Sequence, residues 1–153
     1  MILYFDGLCE PMNPGGVATY AFVIYDRNQK LCEQAGVVGA GMLGNDVSNN
    51  VAEYSAMIKG MECVLSQGHH GTLRVRGDSQ LAIRQVTGRY SVRANRLIPL
   101  HNKVMELKKR FSSVEFEWIP RDFNEEADAL CRKAFEEFLT KNLQQYMDYY
   151  KTK

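Results

Sequence analysis

The sequence predicts an α/β fold in which helices flank a five-stranded mixed sheet. Two segments rich in β-forming residues, 17–26 and 30–39, are separated by three polar residues, which indicates an antiparallel hairpin. Later strand-like segments alternate with helical apolar patterns, which indicates parallel strands reached through helical crossovers. The expected sheet therefore has three antiparallel strands followed by two parallel strands, in the order βββαβααβα.

The first strand is expected at residues 1–9, which open with the apolar run Met-Ile-Leu-Tyr-Phe. The segment 11–16 (PMNPGG) is rich in Pro and Gly and is typical of a turn. The second and third strands are the two hairpin segments, 17–26 (VATYAFVIYD) and 30–39 (KLCEQAGVVG), joined by Arg-Asn-Gln.

A long helix is expected from Ser48 to about Gln67, and either Ser48 or Asn49 suits its N-cap position. The glycine-containing segment 68–71 ends it. Apolar residues recur along this helix at the spacing that buries one face: Val51, Tyr54, Ile58, Met61 and Leu65.

The carboxyl-terminal half alternates between the two kinds of pattern. The expected elements are a strand at 72–78, helices at 79–87 and 95–111, a strand at 114–119 that stops at Pro120, and a last helix from about Asn124. The side chains of the last helix expected to face the core are Ala127, Leu130, Cys131, Ala134, Phe138 and Leu139.

The composition is that of a globular domain, with 153 residues, 45% of them hydrophobic and 24% charged. Residues 1–153 are therefore expected to form a single domain, with 142–153 as a tail of uncertain structure. The tail tyrosines, Tyr146, Tyr149 and Tyr150, could stack on bases or pack against the core, and a frayed end is favoured over both.

Neither a membrane nor a secretory location is indicated. No apolar run approaches the roughly 18 residues of a membrane helix, and the amino terminus lacks a signal-peptide core. The four cysteines have no CxxC spacing and no neighbouring His ligands, so free thiols and no zinc site are expected. One long-range disulfide remains open. We expect a cytoplasmic monomer.

The net charge of +1 hides a segregation of charge along the chain. Residues 74–110 contain ten basic and two acidic side chains, and the remainder contains nine basic and sixteen acidic ones. Such segregation favours a polyanionic partner on one side of the molecule. A solvated basic helix face with no partner explains the charges equally well.

Residues 39–44 (GAGMLG) match the GxGxxG pattern of dinucleotide-binding folds. In those folds the helix begins within the glycines, and an acid ends the next strand roughly 20 residues later. Here the segment 45–50 (NDVSNN) intervenes before the helix, and the expected position of the acid is still helical. A flexible glycine-rich loop is the better interpretation.

Four acidic residues occupy positions that invite a functional explanation. Asp6 lies in the apolar run of the first strand and Asp78 ends a later strand, where a buried carboxylate is costly. Glu53 and Asp128 lie near helix N-termini, where an acid complements the helix dipole without any further role. If the strands of Asp6 and Asp78 are parallel neighbours, all four acids converge at one end of the sheet.

Four motifs, in this order and spacing, resemble type 1 ribonuclease H: YFDG followed by NPGG, NNVAEY, RGDSQL and WIPRDFNEEADAL. The resemblance covers about residues 1–135 and agrees with the expected order of elements. It implies a ribonuclease H-like fold and an endoribonuclease that cuts the RNA strand of RNA–DNA hybrids, leaving 3′-hydroxyl and 5′-phosphate ends.

The resemblance also implies that Asp6, Glu53, Asp78 and Asp128 are catalytic and hold two divalent ions, Mg²⁺ or Mn²⁺. Converging carboxylates repel one another, and hard cations with oxygen ligands relieve that repulsion. Two such ions activate a water and stabilise the leaving 3′ oxygen. In the family's pattern Asp6 bridges them, Asp128 serves the nucleophile side, and Glu53 and Asp78 serve the leaving-group side.

Contacts with an RNA–DNA hybrid are implied at further matching positions. Ser48 and Asn95 match positions that hold a DNA phosphate, and the arginines between 84 and 96 would make binding salt-dependent. Double-stranded RNA remains open as a second substrate. The groups that read the 2′-hydroxyl, which distinguishes RNA from DNA, correspond to Gly7, Asn13, Asn49 and Asn50.

Three features depart from the family's pattern. The loop 120–123 (PRDF) lacks the mobile histidine of many members, and Arg121 is a candidate replacement. The segment 88–96 (GRYSVRANR) is too short for the basic, tryptophan-bearing handle of some members. Asp46 falls where relatives often place a basic residue beside the phosphate pocket. These departures bear on product turnover and hybrid affinity.

Two other functions stay open at the level of sequence. A ribonuclease H fold that binds hybrid or structured RNA without cutting it usually lacks one or more of the carboxylates, and this chain keeps all four. A resolvase-like or integrase-like nuclease of the same fold typically uses three acids at other spacings. The hybrid-specific endoribonuclease is therefore the preferred prediction.

Overall fold

The computed structural model describes residues 1–151, and its five strands form one sheet in the order β3-β2-β1-β4-β5. Neighbours among β1, β2 and β3 are antiparallel, whereas β1, β4 and β5 are parallel. The predicted mixed α/β sheet is thereby confirmed. The strands are β1 (Ile2–Glu10), β2 (Val17–Asp26), β3 (Gln29–Ala40), β4 (Thr72–Gly77) and β5 (Ser113–Trp118).

The first three helices begin and end within three residues of the predicted positions, and the last long helix begins one residue after Asn124. Short 3-10 turns, Gly41–Leu43 and Arg121–Phe123, lie before the first helix and after β5. The helices are α1 (Asn49–Ser66), α2 (Gln80–Val86), α3 (Ile98–Lys108), α4 (Glu125–Lys141) and the additional short α5 (Leu143–Tyr146). Within the described residues no helix is long and apolar enough to cross a bilayer.

The start of α1 is set by Ser48, whose Oγ accepts a hydrogen bond from the backbone N–H of Val51 at 3.2 Å. This N-cap satisfies one of the donors that the first turn leaves without an intrahelical partner. Along the helix, the predicted stripe packs against Leu3 and Phe5 of β1 in the main core. Ile58 is half-buried and the other four stripe residues are buried.

The opposite face of the sheet is covered by α4. Leu8 and Ala21 from the sheet pack there against Ala127 and Cys131 of the helix. The hydroxyl of Thr19 donates to the backbone carbonyl of Cys131 at 3.0 Å, which ties the helix to the first part of β2. Because side chains alternate along β1, its odd and even positions serve the two helical layers.

The glycines of segment 39–44 belong to the end of β3 and the turn after it. Gly44 has φ +82°, a left-handed conformation that favours glycine. The helix α1 begins only at Asn49, so these glycines lie away from its N-terminus. This arrangement agrees with a glycine-rich turn and leaves no basis for a dinucleotide site.

The expectation of a frayed carboxyl terminus is wrong for residues 142–151, which form α5 and the π-helical turn Met147–Lys151. Tyr146 is 6% exposed, packs edge-on against Phe135 and cannot stack on bases. The hydroxyl of Tyr150 donates to the carbonyl of Gly15 at 2.9 Å and accepts from the N–H of Met42 at 3.2 Å. Apolar burial and these two hydrogen bonds order the segment, and the rest of the predicted tail, 152–153, lies outside the described residues.

Candidate active site

The site forms around Asp6, at the middle of β1 and opposite Ala21 of β2. Its side chain is only 5% exposed. The next residue, Gly7, faces α1 so closely that a Cβ atom there would lie 2.4 Å from the backbone nitrogen of Glu53. The missing side chain of Gly7 therefore lets the helix approach the strand and brings Glu53 beside Asp6.

Glu53 lies in the second turn of α1 and is 3% exposed. Its Oε2 atom is buried and has no hydrogen-bond partner. A buried carboxylate oxygen without a donor is costly unless something that the structure does not contain completes it. The unpartnered oxygen of Glu53 is therefore suited to be the ligand of a cation.

Asp78 follows the last residue of β4, and Ser79 after it caps α2 by accepting from the N–H of Ala82 at 3.1 Å. Because β1 and β4 are parallel neighbours, this strand end lies beside Asp6. The indole N–H of Trp118 at the end of β5 donates to the carbonyl of Asp78 at 3.2 Å, which holds the backbone there.

Three of the four predicted acids lie together. One carboxylate oxygen from each of Asp6, Glu53 and Asp78 lies within 4.8 Å of the other two. Asp128, in the first turn of α4, lines the same cavity of about 400 Å³. Its carboxylate lies 3.8 Å from the guanidinium of Arg121 and 3.6 Å from that of Arg132, outside the tight cluster.

Burial and mutual repulsion set the protonation of the cluster. Burial, reinforced by the charges of Asp78 and Asp128, raises the pKa of Asp6 to about 8. Burial, followed by the charges of Asp6 and Asp78, raises the pKa of Glu53 well above its usual value. Burial also raises the pKa of Asp78. The guanidinium of Arg121 lowers the pKa of Asp6 and of Asp78, but burial and the repulsion between the carboxylates outweigh this effect.

The donor set fits a hard divalent cation. All three clustered groups offer oxygen, one of these oxygens is buried without a partner, and no Cys or His belongs to the cluster. Mg²⁺ and Mn²⁺ prefer such carboxylate ligands, whereas structural zinc favours thiolate and imidazole. The residues present therefore fit the metals that the resemblance implies.

The predicted substrate-binding residues divide into two groups. Gly7, Asn13 and Asn49 line the cavity with the acids, and the side-chain oxygen of Asn13 accepts from the N–H of Asn49 at 2.9 Å. The others do not line it: Ser48 is buried as the cap of α1, Asn50 is half-buried, and Asn95 lies in the turn before α3.

Asp46, the acid at a position where relatives often carry a base, is paired with a cation. The Nε atom of Arg96 lies 3.2 Å from its carboxylate. Arg96 follows Asn95 in the turn before α3. Its guanidinium therefore places a positive charge beside Asp46, which is itself negative where a basic side chain was expected. The ion pair joins this turn to the loop that precedes α1.

Sequence reasoning missed several residues in and next to the cavity. Arg132 is one helical turn beyond Asp128, a spacing at which charged side chains meet, so its place could have been inferred. Glu10, which lies 3.7 Å from Arg132, gave no comparable signal. Asn124 reads as a helix cap, yet its amide donates to the carbonyl of Phe5 at 2.8 Å and secures the loop beside Asp6.

Comparisons with known proteins agree with this geometry. Residues 5–134 match the family model described as reverse transcriptase-like. A bifunctional protein of Mycobacterium tuberculosis is 32% identical over 126 residues, which cover 81% of this chain and 32% of that protein. Ribonuclease HI of Halobacterium salinarum is 31% identical over 134 residues, which cover 88% of this chain and 63% of the relative.

Among solved structures, LC11-RNase H1 in complex with an RNA/DNA hybrid aligns with a TM-score of 0.81 at 32% identity. The alignment covers 90% of this chain and 98% of that chain. The chain thus spans nearly all of this structural relative but about a third of the mycobacterial protein.

Proposed function

This chain belongs to the reverse transcriptase-like family as a ribonuclease H-like domain, and from that premise we propose that it is a metal-dependent endoribonuclease acting on RNA–DNA hybrids. It would hydrolyse the RNA strand and leave 3′-hydroxyl and 5′-phosphate ends. The observation that carries the proposal is the meeting of Asp6, Glu53 and Asp78 within 4.8 Å, beside Asp128 in one cavity.

The proposed cofactor is a pair of Mg²⁺ or Mn²⁺ ions held by Asp6, Glu53, Asp78 and Asp128. Such ions, when bound, supply an activated water and stabilisation of the leaving 3′ oxygen. Asp6 shares the cluster with Glu53 of α1 and Asp78 after β4, and by the family's pattern it would be a ligand of both ions. The unpartnered Oε2 of Glu53 supports a ligand role for this residue.

Asp128 lines the cavity from the first turn of α4, and by the family's pattern it would hold the ion on the nucleophile side. The guanidinium groups of Arg121 and Arg132 flank its carboxylate and hold it at the wall of the cavity. Both arginines line the cavity, and their positive charge would also attract the phosphate backbone of a substrate. Arg121 lies in the loop between β5 and α4, where many relatives carry a histidine.

We propose that the RNA strand is recognised through its 2′-hydroxyls by Gly7, Asn13, Asn49 and Asn50. The support is the place of Asn13 and Asn49 on the cavity wall, where their mutual hydrogen bond fixes both residues. The DNA strand would contact Ser48 and Asn95 farther from the acids, and whether double-stranded RNA is accepted depends on these contacts.

The experiment that tests this function measures cleavage of an end-labelled RNA–DNA hybrid in Mg²⁺ and in Mn²⁺. Duplex DNA and double-stranded RNA serve as parallel substrates. We expect metal-dependent cuts in the RNA strand of the hybrid, and Asp78→Asn should lower the rate on the order of 100-fold or more. Asp122→Asn, which removes an exposed acid outside the cavity, is the matched control and should retain activity.

Three other results of this experiment would support a different function or contradict the proposed site. Tight hybrid binding without cleavage in either metal would exclude the enzyme and leave a binding module. Cutting of duplex DNA in preference to the hybrid would indicate a nuclease of the same fold with another substrate. Equal activity of Asp78→Asn and the unmodified protein would contradict the four-carboxylate site.

A further inference from the structure

Two cysteines that take no part in the candidate active site meet at the open edge of the sheet. Cys32 lies in β3, the outermost strand, and Cys63 lies in the last part of α1. Their Sγ atoms are 3.5 Å apart although the residues are separated by 31 positions. Both side chains are half-buried, and both are free thiols.

The other two cysteines have different partners and no such contact. The Sγ of Cys9 donates to the carbonyl of Met12 at 3.3 Å, and that of Cys131 to the carbonyl of Thr19 at 3.8 Å. Both are buried. Among residues 1–151, which include every cysteine, only Cys32 and Cys63 face each other and remain partly open to a small oxidant.

We propose that Cys32 and Cys63 are a dithiol site that peroxide oxidises to an intramolecular disulfide, which fastens β3 to α1. One thiol would lose two electrons to hydrogen peroxide, giving a sulfenic acid and one water. The second sulfur would then attack the sulfenic sulfur, forming the S–S bond and releasing a second water. The two thiol hydrogens leave in these waters.

The geometry requires only a small rearrangement. A disulfide has an S–S bond of about 2.05 Å, so the two Sγ atoms must approach by roughly 1.5 Å. The edge strand has a neighbour on one side only, which leaves β3 room for this adjustment. The contacts of both residues with the periphery of the main core place the bridge between the sheet and the helix layer.

We expect the disulfide to stabilise the fold and to have little effect on hydrolysis at the candidate active site. Burial and the contact with Cys32 raise the pKa of Cys63 to about 11, which keeps its thiol protonated and slow to react at neutral pH. Cys63 also lies ten residues beyond Glu53, about 15 Å along the helix axis. Closing this loop restricts the unfolded chain, and we expect the melting temperature to rise by about 5–10 °C.

The test uses the full chain, first fully reduced and then treated with hydrogen peroxide, with remaining thiols alkylated after denaturation. We expect two of the four thiols to be lost and peptide mapping to recover one linked pair, Cys32 with Cys63. The rise in melting temperature should disappear on reduction. Cys32→Ser and Cys63→Ser, each tested separately, should show neither the linked peptide nor the rise.

Several outcomes would overturn the proposal. These are retention of all four thiols under excess peroxide, a linked peptide that contains Cys9 or Cys131, and a covalent dimer. A melting temperature that rises equally in the two serine variants would do so as well. The thiol count and the peptide map do not depend on nuclease activity, so this result stands apart from the proposed function.

Discussion

At the scale of single residues, Asp6 and Glu53 are buried acids whose burial and mutual repulsion lower the stability of the fold. Each is at most 5% exposed, and within the described residues neither forms an ion pair with a basic side chain. In the absence of a cation, the protein must either protonate these groups or tolerate repulsion. This cost makes stability depend on pH and on metal.

For the metal-free protein, we predict that stability falls as the pH rises from about 4 to about 8. The folded-state pKa of Asp6 is about 8, above the ordinary value of about 3.9 expected in the unfolded chain. Between these values the folded state holds the extra proton, so its stabilisation is complete at low pH and is lost as the pH passes 8. Asp6→Asn should flatten the curve and should be more stable than the unmodified protein at pH 9.

Urea denaturation across this pH range, with a chelator present, measures the effect. Asp122→Asn removes an exposed acid and should leave the slope unchanged. Addition of Mg²⁺ at pH 8 should stabilise the unmodified protein more than Asp6→Asn. A stability that rises with pH in the unmodified protein and in both variants would contradict the explanation.

At the scale of elements, the carboxyl-terminal segment gains its order from contacts far away in the sequence. Tyr146 packs with Val17 and Ala40 at the edge of the sheet, and Tyr150 joins the turn at Gly15 to the turn at Met42. The backbone N–H of Gly15 in turn donates to the carbonyl of Val47, the residue before the N-cap of α1. The segment therefore supports the turns that border the candidate site.

We predict that Tyr146→Ala lowers the free energy of unfolding by about 3 kcal/mol, because it removes a buried aromatic ring and leaves a cavity. Met147→Ala is the neighbouring control; its side chain is 45% exposed, and its effect should stay within about 0.5 kcal/mol. Urea denaturation monitored by circular dichroism measures both values. Equal stability of the two variants would show that the segment contributes little to folding.

At the scale of the whole molecule, the basic segment 74–110 divides into paired and unpaired charges. Arg74 and Arg76 form ion pairs with Glu115 or Glu117 across β4 and β5, and Arg96 pairs with Asp46. Within the described residues, the other basic side chains of this segment form no ion pair and remain available to a polyanion: Arg84, Arg89, Arg93, Lys103, Lys108, Lys109 and Arg110.

We predict that hybrid binding weakens steeply with salt and that Arg89→Ala reduces the slope of log K against log salt by about 1. Arg89 lines a hollow beside Trp118, whose indole contacts the backbone of Asp78. Arg74→Ala removes a paired charge of the same segment and should leave the slope unchanged. Fluorescence anisotropy with a labelled hybrid and the Asp78→Asn background measures both, and identical slopes would show that Arg89 takes no part in binding.

Local sequence patterns predicted most of the strands and helices because these patterns depend on residues that are close together along the chain. The two-residue turn at Arg27 and Asn28, both with positive φ, joins the hairpin that the polar break at 27–29 predicted. Ser48 caps α1 where its sequence context placed a cap. Turns and helix caps depend on backbone geometry within a few residues, so they can be predicted without knowledge of the rest of the molecule.

The sequence by itself thus determined the order of strands and helices, the family, and the four acids proposed to act together. Only the tertiary structure decided the order of residues 142–151, the ion pairs around Asp128 and the meeting of Cys32 with Cys63. These features depend on which surfaces face each other after the sheet and helices pack. Distant side chains meet through burial and shape, and neither is encoded in the spacing of a local motif.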